Sequence, residues 1–158
     1  MKPECEIARR SSLMNLGREV DYAVRALAYL AAKPVGAPIR RIDIGEAQDI
    51  PEHYLAKILR KAVRAGLVYS EVGPRGGFWL ARPADEISLL SVYESLNGPL
   101  CLMACLADPS VCSYLPACGQ ARVWKELQRS VERSMEAVKL AAMADGEGLK
   151  ARCRPSAG

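Results

Sequence analysis

Two groups of residues in this chain carry recognisable chemistry. The first is a set of thiols. Cys101, Cys105, Cys112 and Cys118 place four of the six cysteines in the stretch CLMACLADPSVCSYLPAC, residues 101–118, where no amphipathic period survives. Three or four thiolates are the expected holders of an iron-sulfur cluster, and an irregular segment wraps a cluster as regular helix cannot. Zinc competes for the same donors, since four cysteines can close a tetrahedral site, but the spacing lacks the paired C-x2-C knuckles of zinc ribbons. A clusterless thiol switch is a third chemistry, in which two neighbouring cysteines form a reversible disulfide on oxidation. Packing as small apolar side chains explains one or two of these residues and strains at four.

The second group is basic. Lys57, Arg60, Lys61 and Arg64 follow one another with no acid between Glu52 and Glu71. Such a run is ordinarily a solvated face. It gains a use only if the elements around it present it to a polyanion, where each cation neutralises a phosphate and releases counterions.

Composition bounds both readings. The 158 residues, half apolar and a quarter charged, predict one soluble domain with an appended helix. The net charge of +4 falls entirely within residues 1–85, where 14 Lys and Arg meet 10 Asp and Glu; in the remainder 8 meet 8. Residues 1–16 lack the apolar core of a signal peptide, and no apolar run approaches the ~18 residues that span a bilayer. The cysteine density is below that of a small disulfide scaffold. These features predict a protein of the reducing cytoplasm with no membrane association.

The elements that position the two groups follow from periodicity. In REVDYAVRALAYLAA, Val20, Ala23, Val24, Leu27, Leu30 and Ala31 recur at helical steps, and Pro34 and Gly36 end the pattern. A shorter helix is predicted from Ile42 to Gln48. IPEHYLAKILRKAVRAGL then places Pro51 in a first turn, Leu55, Ile58, Leu59 and Ala62 on one face, and Gly66 where a left-handed residue closes the helix. His53, Lys57, Arg60, Lys61 and Arg64 are left on the opposite face. LVYSEV and GFWLAR read as two strands joined by GPRG. Ser88 and Gly98 bound a further helix in ISLLSVYESLNG, and a last helix from Arg122 to Ala144 carries Trp124, Leu127, Val131, Met135, Val138 and Ala142 on one stripe.

Three helices followed by a hairpin is the order of a winged helix-turn-helix. The predicted fold is mainly α with a small β-hairpin: an extension at 1–13, a winged helix-turn-helix domain at 14–97, a cysteine-rich cluster-binding loop at 98–121, a long dimerisation helix at 122–144 and a tail at 145–158. Cys5 and Cys153 fall in the extension and the tail. The third helix would enter the major groove, which makes His53, Tyr54, Lys57, Arg60, Lys61, Arg64 and Arg75 the candidate contacts to double-stranded DNA. His53 and Lys57, one turn apart near the start of that helix, are the candidates for base edges. An exposed side chain without a contact is the alternative for His53, and an ordinary turn cation is the alternative for Arg75. A homodimer reading a palindromic operator fits both the last helix and the usual habit of helix-turn-helix proteins.

From Met14 to about Ala144 the chain resembles the Rrf-type winged-helix transcription regulators, which include iron-sulfur and nitric-oxide sensors. The resemblance rests on DYAVRALAYLA, IPEHYLAKILRKAVRAGLV, GPRGGFWLARPADEIS and the spaced Cys105, Cys112 and Cys118 before VW. It implies a homodimeric DNA-binding repressor or activator whose cysteines ligate an iron-sulfur cluster, 2Fe-2S or 4Fe-4S. Members commonly begin near Met14. Two departures matter. The histidine that many members carry three residues after the last cysteine is Ala121 here, and an arginine before the wing's first glycine is Val72, a role Arg75 would take over in the minor groove. A fourth cluster ligand is therefore either Cys101 or Asp21, the latter by its match to a first-helix aspartate of nitric-oxide-sensing relatives; an ion pair with Arg25 is its alternative.

No catalytic constellation is present in the sequence: no phosphate-cradling glycine loop, and no nucleophile with a base in context. The resulting expectation is a DNA-binding regulator, not an enzyme, that senses cluster, redox or nitric oxide status. The non-regulator alternative is a small iron-sulfur carrier whose basic helix docks an acidic partner.

Overall fold

The computed structural model describes residues 16–144. The extension at 1–13 and the tail at 145–158, with Cys5 and Cys153, lie outside the described residues. Helix α1, Arg18–Ala31, buries Val20, Ala23, Ala26, Leu27, Ala28 and Leu30. Of the predicted stripe, Val20, Ala23, Leu27 and Leu30 are buried and Val24 and Ala31 half-buried, while Ala26 and Ala28, small enough for neighbouring backbones to approach closely, are buried outside it. Helix α2, Arg41–Gln48, contributes only Ile44 to the core. The chain then turns sharply: Asp49 takes a left-handed conformation (φ 50°), and the Ile50 N–H donates to the Gly45 carbonyl at 3.0 Å.

Helix α3, Glu52–Arg64, buries Leu55, Ile58, Leu59 and Ala62, the four residues its spacing predicts. Pro51, expected in the first turn, is instead the extended residue immediately before it. Gly66 follows with φ 68°, a conformation that costs a residue with a Cβ. Strands β1, Val68–Glu71, and β2, Gly77–Leu80, pair antiparallel with Val68 opposite Leu80. Ile39 adds one further rung outside β2, donating to the Phe78 carbonyl at 3.0 Å and accepting from its N–H at 2.9 Å. That rung explains Gly77, where a Cβ would stand 2.6 Å from the Ile39 carbonyl oxygen.

Helix α4, Leu89–Asn97, is capped by Ser88, whose hydroxyl accepts from the Ser91 N–H at 3.1 Å. The cysteine-rich stretch is not a featureless loop. It holds a one-turn helix α5, Ala104–Ala107, and two 3-10 turns at Pro109–Val111 and Leu115–Ala117.

The last helix differs from its predicted extent. Helix α6 runs from Ala121 to Ala137, and the helix expected through Ala144 is broken at Val138, which is extended. The cause is tertiary. Leu89 donates to the Val138 carbonyl at 2.9 Å, Leu140 donates to the Ile87 carbonyl at 2.8 Å, and Ser88 and Lys139 form an antiparallel bridge. This pairing drops Leu140 fully into the core beside α1, a burial worth ~1.5 to 3 kcal/mol that a continued helix would forgo. A short 3-10 turn, Leu140–Met143, follows, and Ala142 is exposed rather than part of a stripe.

Candidate functional site

The structure places the basic run as the sequence predicts, on the face of α3 opposite its buried residues. His53, Lys57, Arg60 and Arg64 are exposed, Tyr54 and Lys61 half-buried. At the start of the helix the His53 and Tyr54 rings lie 4.3 Å apart, and Tyr54 meets Tyr22 of α1 edge to face at 5.4 Å. Arg75 is exposed in the turn of the hairpin, with Val72 beside it, and Tyr69 and Trp79 form an aromatic pair at 6.0 Å on the strands. Among the described residues, no ion pair engages Arg60, Arg64 or Arg75. Their guanidiniums can meet phosphate without first giving up a carboxylate.

The turn that aims α3 is braced by Arg25 and Arg41. Arg25 donates to the Gln48 carbonyl at the end of α2, lies 5.7 Å over the Tyr22 ring, and stands 3.5 Å from Asp21. Arg41 of α2 pairs with Glu52 of α3 at 2.7 Å. Asp21 therefore sits in the ion pair that was its alternative, exposed on α1.

Lys57 and Lys61 are not equivalent to the arginines. Glu19 of α1 accepts from both at 2.9 Å, one at each carboxylate oxygen. Lys61 also donates to the Leu96 carbonyl of α4 at 2.7 Å. Burial acts to raise the Glu19 carboxyl, and the hydrogen bonds from Lys61 and then Lys57 outweigh it, so that its pKa lies below the ordinary value. Sequence reasoning missed Glu19, because 38 and 42 residues separate it from its partners and no local pattern marks it.

The thiols are distributed unevenly. Cys101 is buried, and its Sγ–H donates to the Met103 carbonyl at 3.1 Å. Cys105, Cys112 and Cys118 are half-buried and free. Three accessible thiols within one segment of short turns are a donor set suited to a thiolate-ligated metal group. Among the described residues, however, no three His, Cys, Asp or Glu side chains stand close enough together to hold a metal ion. The ligands are thus available but not gathered in this conformation.

Helix α6 extends from the segment with little covering it. Of its 17 residues only Met135 is buried, while Val123 is 57% and Leu127 45% exposed. None of the described helices is long and apolar enough to cross a membrane.

Comparison with known proteins agrees with this geometry. The model of the Rrf2 family, described as an iron-dependent transcriptional regulator, matches residues 16–146. An HTH-type transcriptional regulator of Mycobacterium tuberculosis is 33% identical over 133 residues, covering 84% of this chain and 83% of the relative. One from Aquifex aeolicus is 34% identical over 115 residues, 72% of this chain and 79% of the relative. Among solved structures, the global cysteine regulator CymR of B. subtilis superposes with a TM-score of 0.67 at 23% identity, covering 84% of this chain and 97% of that one. IscR of T. potens superposes at 0.63 with 25% identity, covering 92% and 94%.

Proposed function

This chain belongs to the Rrf2 family of DNA-binding transcriptional regulators, and from that premise we propose that it works as a cytoplasmic homodimer that reads a palindromic operator and senses through its cysteine segment. One observation carries the DNA half of this reading: α3 buries Leu55, Ile58, Leu59 and Ala62 and leaves His53, Lys57, Arg60 and Arg64 exposed, with Arg75 projecting from the adjacent hairpin. A helix so divided suits the major groove, and a hairpin cation suits the minor groove, whose negative potential favours an inserted guanidinium.

The dimer is supported by α6, whose exposed Val123 and Leu127 lie one turn apart on a helix that the domain itself barely covers. Two recognition helices then meet half-sites ~34 Å apart or a multiple of it. The cysteine segment runs between α4 and α6, that is, between the DNA-binding unit and the pairing helix. A change in its state shifts the relative placement of the two units, and a coupling of ~1 to 3 kcal/mol suffices to regulate affinity.

The group we assign to that segment is an iron-sulfur cluster held by Cys105, Cys112 and Cys118, with Asp21 of the partner protomer or Cys101 as fourth ligand. Such a group supplies sensitivity to oxidants, nitric oxide and iron supply.

Two experiments test the reading. Duplexes enriched by the protein from a random pool should contain an inverted repeat, and enrichment of no sequence would overturn the regulator reading. Protein purified without oxygen should be brown and contain both iron and sulfide; colourless protein with stoichiometric zinc, or with none and a reversible disulfide, would replace the cluster by a structural metal or a thiol switch.

A further inference from the structure

Glu19 is an acid inside the DNA-binding unit, next to the helix that needs positive charge. By simple electrostatics it should weaken binding, since it offsets part of the cationic face of α3. Its geometry gives it another use. Each carboxylate oxygen takes one lysine at 2.9 Å, and the two lysines differ in exposure: Lys57 keeps 55% of its side chain in solvent, Lys61 only 26%. Lys61 is turned toward the body of the protein, where it also meets the Leu96 carbonyl at 2.7 Å. That carbonyl belongs to the last turn of α4, whose acceptors have no partner within the helix. Lys61 therefore caps α4 from outside, and a cation is the favoured group at a helix C-terminus.

We propose that Glu19 is a positioning residue for DNA recognition: it holds Lys57 at a fixed place on the reading face of α3 and withdraws Lys61 from DNA to tie α3 to the end of α4. The proposal rests on α3 being the recognition helix. A free lysine samples many rotamers, and ordering it on DNA costs side-chain entropy at each binding event. A lysine already held by Glu19 loses less, and it is held in one direction, which favours a matching base or phosphate over a mismatched one. The tie at Leu96 adds a route to the sensing segment. Only Asn97, Gly98, Pro99 and the buried Leu100 separate Leu96 from Cys101. A displacement of the cysteine segment pulls on the end of α4, and through Lys61 and Glu19 that pull reaches Lys57.

The alternative role for Glu19, a plain brake on all DNA binding, makes a different prediction. The test compares the wild type with Glu19→Gln, whose neutral amide cannot serve two ammonium groups, on the duplex enriched from a random pool and on an unrelated duplex of equal length. The positioning role predicts that the ratio of the two affinities falls about tenfold, within the range of one lost specific contact, while affinity for unrelated DNA holds or rises. A rise of both affinities by the same factor, or an unchanged ratio, would overturn it. Lys61→Met keeps the stem and removes the charge, so it stands as a second measurement should Glu19→Gln fail to fold. It should lower the ratio as Glu19→Gln does, yet leave the slope of log affinity against log salt at the wild-type value. A slope reduced by about 0.9 would mark Lys61 as a phosphate contact and sink the withdrawal. A wild type that enriches no duplex would remove the premise about α3, an outcome distinct from either variant result.

Discussion

Lys57 and Arg75, both proposed DNA contacts, belong to different elements and differ in what holds them. Lys57 is held by Glu19, whereas Arg75 stands exposed at the hairpin turn without an ion pair among the described residues. Replacing either by Ala should weaken binding to the enriched duplex by about tenfold, while Lys150→Ala, in the tail, should have little effect. Fluorescence anisotropy across a salt series measures this, and equal small effects from all three would remove the assignment of contacts. The fourth ligand of the proposed cluster is tested at the same scale. Cys101 is buried with its thiol on the Met103 carbonyl, and Asp21 is exposed in a pair with Arg25 that is worth only ~0.3 to 0.5 kcal/mol. Giving up that pair costs little, whereas extracting a buried thiol costs a packed contact. Asp21→Ala should therefore change the visible spectrum of the anaerobic protein and Cys101→Ala should leave it nearly unchanged. The opposite pattern would assign the ligand to Cys101.

At the scale of elements, the break between α6 and residue 140 is the feature with the clearest energetic signature. Leu140 is fully buried, so Leu140→Ala should destabilise the protein by about 2 to 5 kcal/mol, seen as a lowered midpoint in thermal or denaturant unfolding. The same junction should respond to pH. The buried Ser88 hydroxyl donates to Glu136 at 2.6 Å, and this bond, followed by that from Lys139, lowers the Glu136 carboxyl below its ordinary value of 4.5. A depressed folded-state pKa contributes stability that is complete above the unfolded value and disappears as pH falls through the folded one. The stability difference between wild type and Glu136→Gln should accordingly be largest above about pH 6 and shrink as pH drops below 4.5. A difference independent of pH would show that the carboxylate charge contributes nothing there.

For the whole molecule, the exposed apolar residues of α6 are the surface on which the proposed dimer is tested. A charge at Leu127, already 45% exposed in the single chain, should disturb the protomer fold little but disrupt the proposed apolar seam between two copies. Leu127→Asp should shift the protein from dimer to monomer in analytical ultracentrifugation, with its thermal midpoint nearly kept. Binding to the full inverted repeat should then fall at least tenfold, toward the affinity of one half-site, because the second half-site no longer adds to it. A dimer that persists in Leu127→Asp would place the seam elsewhere.

Much of this architecture is set by short-range pattern. The stripe of α1, the buried four of α3, the cap at Ser88 and the Gly-Pro turn of the hairpin are each legible within a few residues, because helical period, capping and turn geometry are local properties of the chain. The fold class and the cationic face of α3 follow from them. Three features do not. The end of α6 at Ala137 depends on pairing between residues 87–89 and 138–140, so a stripe that continues through Val138 and Ala142 misleads. The different surroundings of Lys57 and Lys61 depend on Glu19 and on the Leu96 carbonyl, brought close only when α1, α3 and α4 pack together. The one-turn helix and the two 3-10 turns that carry Cys105, Cys112 and Cys118 are local folds that the cysteine spacing alone does not specify. A sequence determines what each segment prefers locally; which distant charge or backbone group it meets is decided by the packing of the core, where burial across the whole chain outweighs any one segment's preference.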